Sequence, residues 1–333
     1  MSDRKITDRD YLFLSSMLKA RESRMLTRDR LEQMLSGTAA EAAKVLSESG
    51  WPDMAGMNPE EIDKALSARR VEMLRELSLF IPEKEVTDFF RLKYDYHNAK
   101  SIVKGEGAGV STDKLLSGAG RVEPEKLLEA FTEDNFRFVP GLLGKAMDEA
   151  KRTLAQTGNP QLCDFVLDKA YFAEMETLAK SVSDPFLDGY RQTLTDCANL
   201  RTAVRCLRMG RDLEFLRSAL IPGGTVSPER LAQDAFAGEG VGGVFASTPF
   251  RDAAALGAEA VRGGAMTAFE RECDNTVNRF LTSARTTGFG LPLVAGYLAA
   301  EENNIAAVRM VLTGLLAGID PQRLKERLRD TYA

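Results

Sequence analysis

Tyr94-Asp95-Tyr96-His97-Asn98-Ala99-Lys100-Ser101-Ile102-Val103-Lys104-Gly105 is the stretch on which this sequence turns, because its pattern returns twice. The second copy is Asp196-Cys197-Ala198-Asn199-Leu200-Arg201-Thr202-Ala203-Val204-Arg205. The third is Glu301-Glu302-Asn303-Asn304-Ile305-Ala306-Ala307-Val308-Arg309-Met310-Val311-Leu312. Each has an acid, then an amide or apolar residue three or four positions later, then an apolar stripe carrying Lys or Arg. Asp95 and Asp196 are 101 residues apart, and Asp196 and Glu302 are 106 apart. In the third copy both Glu301-Asn304 and Glu302-Ile305 fit the register. Residues three or four apart share a helix face and can reach each other or a neighbouring helix. The structural reading of Tyr94, Asp95, Asn98, Asp196, Asn199, Arg205, Glu302 and Arg309 is that they pin helix packing or an interface; it is preferred over catalysis, since function belongs to particular sites and not to a repeated scaffold.

Outward from the motifs the helical signal continues. Pro82, Pro185 and Pro292 each precede a motif-bearing stretch. Six pairs read as helix starts: Asn58-Pro59, Asn159-Pro160, Asp184-Pro185, Ser227-Pro228, Thr248-Pro249 and Asp320-Pro321. In such a pair the side-chain oxygen accepts an otherwise orphaned amide, while proline has no amide to orphan. Thr38 with Glu41 and Asn58 with Glu61 have capping-box spacing. Leu66, Met73, Leu74 and Leu77, and again Leu162, Phe165, Val166, Phe172 and Met175, recur at helical spacing. Gly50, Gly105, Gly158, Gly210 and Gly314 fall where helices are expected to stop. Arg137 to Val139 and Gly243 to Ala246 are the best strand candidates and are too short to found a sheet. The expected fold is all-α, in three similar helical units at residues 1–110, 111–225 and 226–333, with glycine-rich loops at Gly105 to Gly120 and Gly238 to Gly243 as candidate hinges.

Composition narrows the function. The chain has 333 residues, 44 Lys plus Arg, 49 Asp plus Glu and a net charge of -5, which argues against a nucleic-acid binder. His97 is the single histidine, so mechanisms needing two, such as a HExxH zinc site, are excluded. Cys163, Cys197, Cys206 and Cys273 contain no CxxC pair and read as buried thiols of a reducing compartment. The opening Met1 to Asp10 is too charged for a signal peptide, and no stretch approaches the roughly 20 apolar residues of a membrane span. Gly238-Glu239-Gly240-Val241-Gly242-Gly243 matches GxGxxG but follows a helical run instead of a strand, and no Walker A pattern occurs. Neither nucleotide, metal nor other cofactor is expected. His97 as a general base is disfavoured because the other two copies lack a histidine there. Arg201, Arg205 and Arg208, with Arg211 shortly after, form a basic stripe. Internal pairing is expected for Arg205, and partner contact for Arg201, Arg208 and Arg211.

The chain resembles the C subunit of the V/A-type ATPases, known as the d subunit in the eukaryotic V-ATPases. The resemblance rests on Tyr94-Asp95-x-x-Asn98-x-Lys100, on Asp196-x-x-Asn199-Leu200-Arg201-Thr202, and on Glu302-x-x-Ile305-x-x-Val308-Arg309-x-Val311-Leu312-x-Gly314. The ending Arg323-Leu324-Lys325-Glu326-Arg327-Leu328 with Tyr332, and the opening helix Tyr11 to Leu26 with Lys19-Ala20-Arg21-Glu22, extend it over nearly the whole chain. Ala306-Ala307 and Trp51 depart from the family pattern. The resemblance implies a funnel of three helical units with pseudo-threefold symmetry, peripheral on the cytoplasmic face of the membrane. It implies no active site, a central axle of D and F subunits plugged into the funnel, and a membrane proteolipid ring beneath, with rotation passed between them. The rival readings are an all-α enzyme with a carboxylate-lined pocket and a helical scaffold with unrelated partners.

Overall fold

The computed structural model describes residues 6–237 and 240–333. Sixteen α-helices and four short 3-10 turns occur among them, and no strand. The first five helices are α1 (Leu12–Glu22), α2 (Arg28–Leu35), α3 (Ala39–Glu48), α4 (Pro59–Ser78) and α5 (Lys84–Ala108). The next four are α6 (Pro124–Thr132), α7 (Gly141–Thr157), α8 (Pro160–Val182) and α9 (Pro185–Arg208). Then come α10 (Leu213–Ala219), α11 (Pro228–Ala235), α12 (Gly240–Val244) and α13 (Arg251–Val261). The chain ends with α14 (Met266–Thr282), α15 (Leu291–Leu316) and α16 (Pro321–Arg327). The three motifs lie on α5, α9 and α15, the longest helix of each third. No described helix is long and apolar enough to cross a membrane.

The capping chemistry sets most of these starts. Thr38 and Asn58 each accept the amide three residues on, and Glu41 and Glu61 reach back to the cap amide, which closes two capping boxes. Asn159, Asp184, Ser227 and Asp320 each cap a helix that opens on proline. Thr248-Pro249 is the exception. Thr248 Oγ1 accepts the Phe250 amide within a turn, and the helix begins only at Arg251.

Gly105 and Gly314 do not end helices as expected; both lie inside α5 and α15. They are there because neighbours come close. A Cβ on Gly105 would lie 2.2 Å from Thr112 Cγ2, and one on Gly314 would lie 2.5 Å from Leu324 Cδ2. The left-handed residue that terminates α5 is Gly109, φ 64°. The Gly105 to Gly120 loop therefore starts four residues later than its glycines suggest. Phe136–Phe138 forms a 3-10 turn and Gly240–Val244 one helical turn, so neither strand candidate forms a strand. Gly238 and Glu239 of the GxGxxG run lie outside the described residues.

Leu66, Met73, Leu74 and Leu77 are buried along α4 as their spacing requires. On α8 the buried line is Cys163, Leu167, Glu174, Met175 and Ala179, rotated from the expected stripe, of which only Met175 is fully buried. Partial burial on several faces blurs the apolar period there. Each fully buried Leu or Phe contributes about 1.5–3 kcal/mol of transfer free energy. One core runs through most of the chain, and a second joins Leu26, Leu31, Met34, Leu46, Trp51, Ile62 and Leu66 to Ile305, Val308, Val311, Leu312 and Leu324. The two ends of the sequence thus share a core. Trp51 is held in it beneath the Arg69 guanidinium, 3.9 Å from the ring centre.

The three motif helices are packed alike. α5 lies against α6, α7 and α8; α9 lies against α11, α13 and α14; α15 lies against α2, α3 and α4. Each motif helix therefore packs on the helices that follow it in the chain, and the last packs on the first.

Candidate functional site

The first two motifs are latches built to one plan. Asp95 is fully buried, and its Oδ1 accepts the amides of Arg121 (2.8 Å) and Val122 (3.1 Å). Three residues on, Asn98 closes on one peptide: its Oδ1 accepts from Ser117 N at 2.7 Å and its Nδ2 donates to Ser117 O at 2.9 Å. Asp196 accepts the amides of Thr225 (3.1 Å) and Val226 (3.3 Å) and the Thr225 hydroxyl. Asn199 brackets Ile221 in the same way, at 2.9 and 2.7 Å.

The register is the same in both. The residue held by the amide lies six positions before the helix cap, Glu123 or Ser227, and the residues held by the carboxylate are the two before it. The residue before those is glycine in both, for a steric reason. A Cβ on Gly120 would lie 2.2 Å from Asp95 Oδ1, and one on Gly224 would lie 2.1 Å from Asp196 Oδ1. Hydrogen bonds to a buried carboxylate contribute about 1.5–3 kcal/mol each, so each latch fixes a loop that would otherwise carry orphaned amides.

Burial raises both carboxyls above their ordinary values. Arg121 and the backbone amides oppose this at Asp95, as Thr225 and its neighbours do at Asp196. Arg121 had no sequence signal. It joins Asp95 (2.6 Å) to Glu174 of α8 (2.9 Å), which also accepts the Tyr96 hydroxyl at 2.9 Å.

The third motif departs from the plan. Glu301 and Asn304 have the latch spacing and are buried, but Glu301 faces Arg69 of α4 at 3.4 Å. Asn304 lies beside Glu301, whose carboxyl it helps hold down against burial, instead of bracketing a backbone residue. The reason is local. Six positions before Thr27, the cap of α2, stands Arg21, which is inside helix α1 and offers no open peptide. Glu302 instead gathers Arg70 (3.1 Å) and Lys93 (3.1 Å), and both cations lie over the Tyr94 ring. Burial works against the charge on Glu302, but Lys93 and Arg70 outweigh it and hold the carboxyl below its ordinary value. Arg309 makes a two-point contact with Asp63 of α4, at 2.7 and 2.8 Å.

Much of the basic stripe is paired within the chain, although Arg205, Arg208 and Arg211 stay exposed. Arg201 pairs with Glu270 and Asp274 of α14, both at 2.8 Å, and Arg205 pairs with Glu270 at 2.7 Å. Arg208 donates to the carbonyls of Ala260 (3.2 Å) and Gly264 (2.9 Å). Arg201, expected to meet a partner, pairs within the chain because acids one turn apart on α14 lie opposite it, and Arg208 holds two backbone carbonyls while remaining exposed. Arg211 stacks on Phe215, 4.8 Å from its ring centre. The exposed His97 places Nε2 3.0 Å from the Leu115 carbonyl and has no carboxylate to orient it as a base.

A further Asn pair escaped the sequence reading. Asn275 and Asn278 on α14 bracket Asp330, through its amide (2.9 Å) and its carbonyl (2.8 Å). Their three-residue spacing, the same as in the motifs, was the available signal. The tail they hold is fastened to the other end of the chain. Arg28 donates to the carbonyls of Leu328 and Arg329, Lys325 pairs with Glu32 at 2.8 Å, and the Tyr332 hydroxyl reaches Glu22 at 3.3 Å. Beside this junction a cavity of about 390 Å³ is lined by Leu31, Met266, Glu270, Asp274, Asn304 and Met310, among others. Of the carboxylates that line it, Glu270 and Asp274 are taken up by Arg201, Arg205 and Arg329.

Several large apolar residues are exposed, Phe138 most of all. Leu12 and Phe13 of α1 meet Leu79 and Phe80 after α4, with the Phe13 and Phe80 rings 5.4 Å apart; Phe13 is 66% and Leu79 76% exposed. Val110 and Leu115, Met209, and Leu316 and Ile319 stand just beyond the C-terminal ends of α5, α9 and α15 or in their last turns.

An all-helical chain whose buried polar groups are spent on joining helices has the make-up of a structural subunit. The ATP synthase (C/AC39) subunit family matches residues 14–327, and the chain belongs to that family. It is 24% identical over 332 residues to the C subunit of the V-type sodium ATPase of Enterococcus hirae, covering 97% of this chain and 99% of that protein. It is 22% identical over 347 residues to the C subunit of the A-type ATP synthase of Methanocaldococcus jannaschii, covering 96% and 86%. The C subunit of the V-type ATP synthase of Thermus thermophilus is 23% identical over 203 residues, covering 59% of this chain and 63% of that protein. The chain is accordingly a structural, non-catalytic subunit of a rotary ATPase.

Proposed function

We propose that this protein couples the central axle, made of D and F subunits, to the proteolipid ring, on the cytoplasmic face of the membrane. It passes rotation between ATP chemistry and ion transport. The three units, 1–110, 111–225 and 226–333, stand around a pseudo-threefold axis and form a funnel that grips the axle. The observation that carries this reading is the hand-over of the motif helices, α5 onto α8, α9 onto α14, and α15 back onto α4. Such a closed sequence of contacts suits a rotor part, because every unit is braced by the next. Close packing transmits strain with little compression. The exposed apolar groups at Leu12, Phe13, Leu79 and Phe80, and at the C-terminal ends of the motif helices, are the surfaces offered to partners.

Co-expression with candidate D and F subunits, followed by size-exclusion chromatography, tests the axle contact. Co-elution is expected, and three proteins eluting separately refute it. Removing this protein from the complex is expected to leave ATP hydrolysis running without ion pumping.

A further inference from the structure

We propose that residues 26–66 and 305–328 form a lobe that opens and recloses as one cooperative unit while the rest of the chain stays folded. The break runs along a belt of ion pairs at Arg69, Arg70, Glu301 and Glu302. The two apolar cores divide the chain cleanly. The smaller takes its buried side chains from Leu26 to Leu66 and from Ile305 to Leu328. The larger takes its own from Tyr11 to Met25, from Met73 to Ala300, and from Tyr332. Two helices serve both. α4 gives Ile62 and Leu66 to the smaller core and Met73, Leu74 and Leu77 to the larger. α15 gives Val294, Leu298 and Ala300 to the larger and Ile305, Val308 and Val311 to the smaller.

Both helices change cores at the same level, and that level is polar. On α15 the change falls at Glu301-Glu302-Asn303-Asn304, and on α4 it falls beside Arg69 and Arg70. Arg69 faces Glu301 at 3.4 Å, Arg70 faces Glu302 at 3.1 Å, and Lys93 of α5 reaches Glu302 at 3.1 Å. Apolar contact makes neighbouring elements open together, because exposing it costs free energy in proportion to its area. Ion pairs insulate, because water takes up the charges as they part and offsets much of the lost attraction.

Away from these two helices the lobe and the main body meet around a gap. The cavity of about 390 Å³ lies between them, with Leu31, Ala307 and Met310 on the lobe side and Met266, Glu270 and Asp274 on the other. Contacts that cross nearby and beyond it are polar: Arg271 donates to the Glu326 carbonyl at 2.8 Å, and Lys114 pairs with Glu60 at 3.3 Å. Inside the lobe the two pieces of chain are tied directly. Lys325 pairs with Glu32 at 2.8 Å and Arg309 with Asp63 at 2.7 Å, over the core that both pieces share. Segments joined in this way open as a unit, and thinly packed borders are where such units part. Opening widens the cleft at the cavity, and the main body keeps hold of one half of α4 and one half of α15.

The test follows amide hydrogen exchange in the purified, folded chain at rising, sub-denaturing urea. The amides of Met34, Leu46 and Val311 should share one urea-dependent opening, about tenfold or more easier than that of Met147, Leu200 and Leu298. Leu298 and Val311 lie on the same helix, so a difference between them reads the belt itself. In Leu46→Ala, the hole left in the smaller core should speed exchange about 30-fold or more at Met34 and equally at Val311. Met147, Leu200 and Leu298 should be unchanged. Equal opening at Leu298 and Val311, a response at Met34 without Val311, or one opening shared by the whole chain overturns the proposal. The readout on the unsubstituted chain stands whether or not the variant folds.

Discussion

Replacing Asn199 by Leu tests the latch directly. The substitution keeps the side-chain volume roughly constant and removes both hydrogen bonds to Ile221, whose amide and carbonyl are buried. A buried backbone group left unsatisfied costs about 1–3 kcal/mol, so the pair costs about 2–6 kcal/mol. At about 1.4 kcal/mol per tenfold, opening of this loop becomes about 30-fold or more easier. Amide hydrogen exchange at Ile221, with a urea melt for the whole chain, measures it. Asn98→Leu should behave alike at Ser117. Asn304→Leu has the same spacing and the same burial, but it strips no backbone group of its partner, because Asn304 faces the Glu301 side chain. It should cost less than Asn199→Leu. If Asn304→Leu destabilises as much as Asn199→Leu, the latch argument is wrong, and burial alone explains these residues.

Gly224→Ala should destabilise by about 1–3 kcal/mol through collision with Asp196, whereas Gly118→Ala, with open space around it, should be silent in the same melt. Lys325, with Arg28, holds the Glu32 carboxyl below its ordinary value near 4.5. A lowered folded value means that this contribution is present above pH 4.5 and disappears as pH falls through the lowered value, so the tail from Pro321 onward should become protease-sensitive in acid before the rest; simultaneous loss of protection everywhere would contradict this. Phe13→Ser combined with Phe80→Ser should leave the melting temperature nearly unchanged while weakening association with the proteolipid ring in detergent. An unchanged association would exclude that patch as the contact.

Helices were legible here because their ends are written in short-range chemistry. Asn58, Asn159, Asp184, Ser227 and Asp320 carry both the capping oxygen and the following proline. Thr248 misled because a threonine–proline pair also makes a turn, and Gly105 and Gly314 misled because glycine serves close approach as well as termination. The motif acids and amides could be found by spacing alone. Their partners could not, since Ser117, Arg121, Ile221 and Thr225 lie 19 to 29 residues away with nothing to mark them until the helices are packed. The internal partners of Arg201 were hidden for the same reason: a charge on a helix face looks free until the acids opposite it are known.

The meeting of the tail with α1 and α2 has a mechanical consequence. Elsewhere neighbouring thirds are stitched by peptide bonds as well as by side chains. Where residues 321–333 meet residues 22–32, only side chains and hydrogen bonds cross the border. The end contact is a clasp and not a weld. A load that parts the tail from these two helices breaks no backbone bond, so the tail can let go and settle back while α15 stays seated in the shared core.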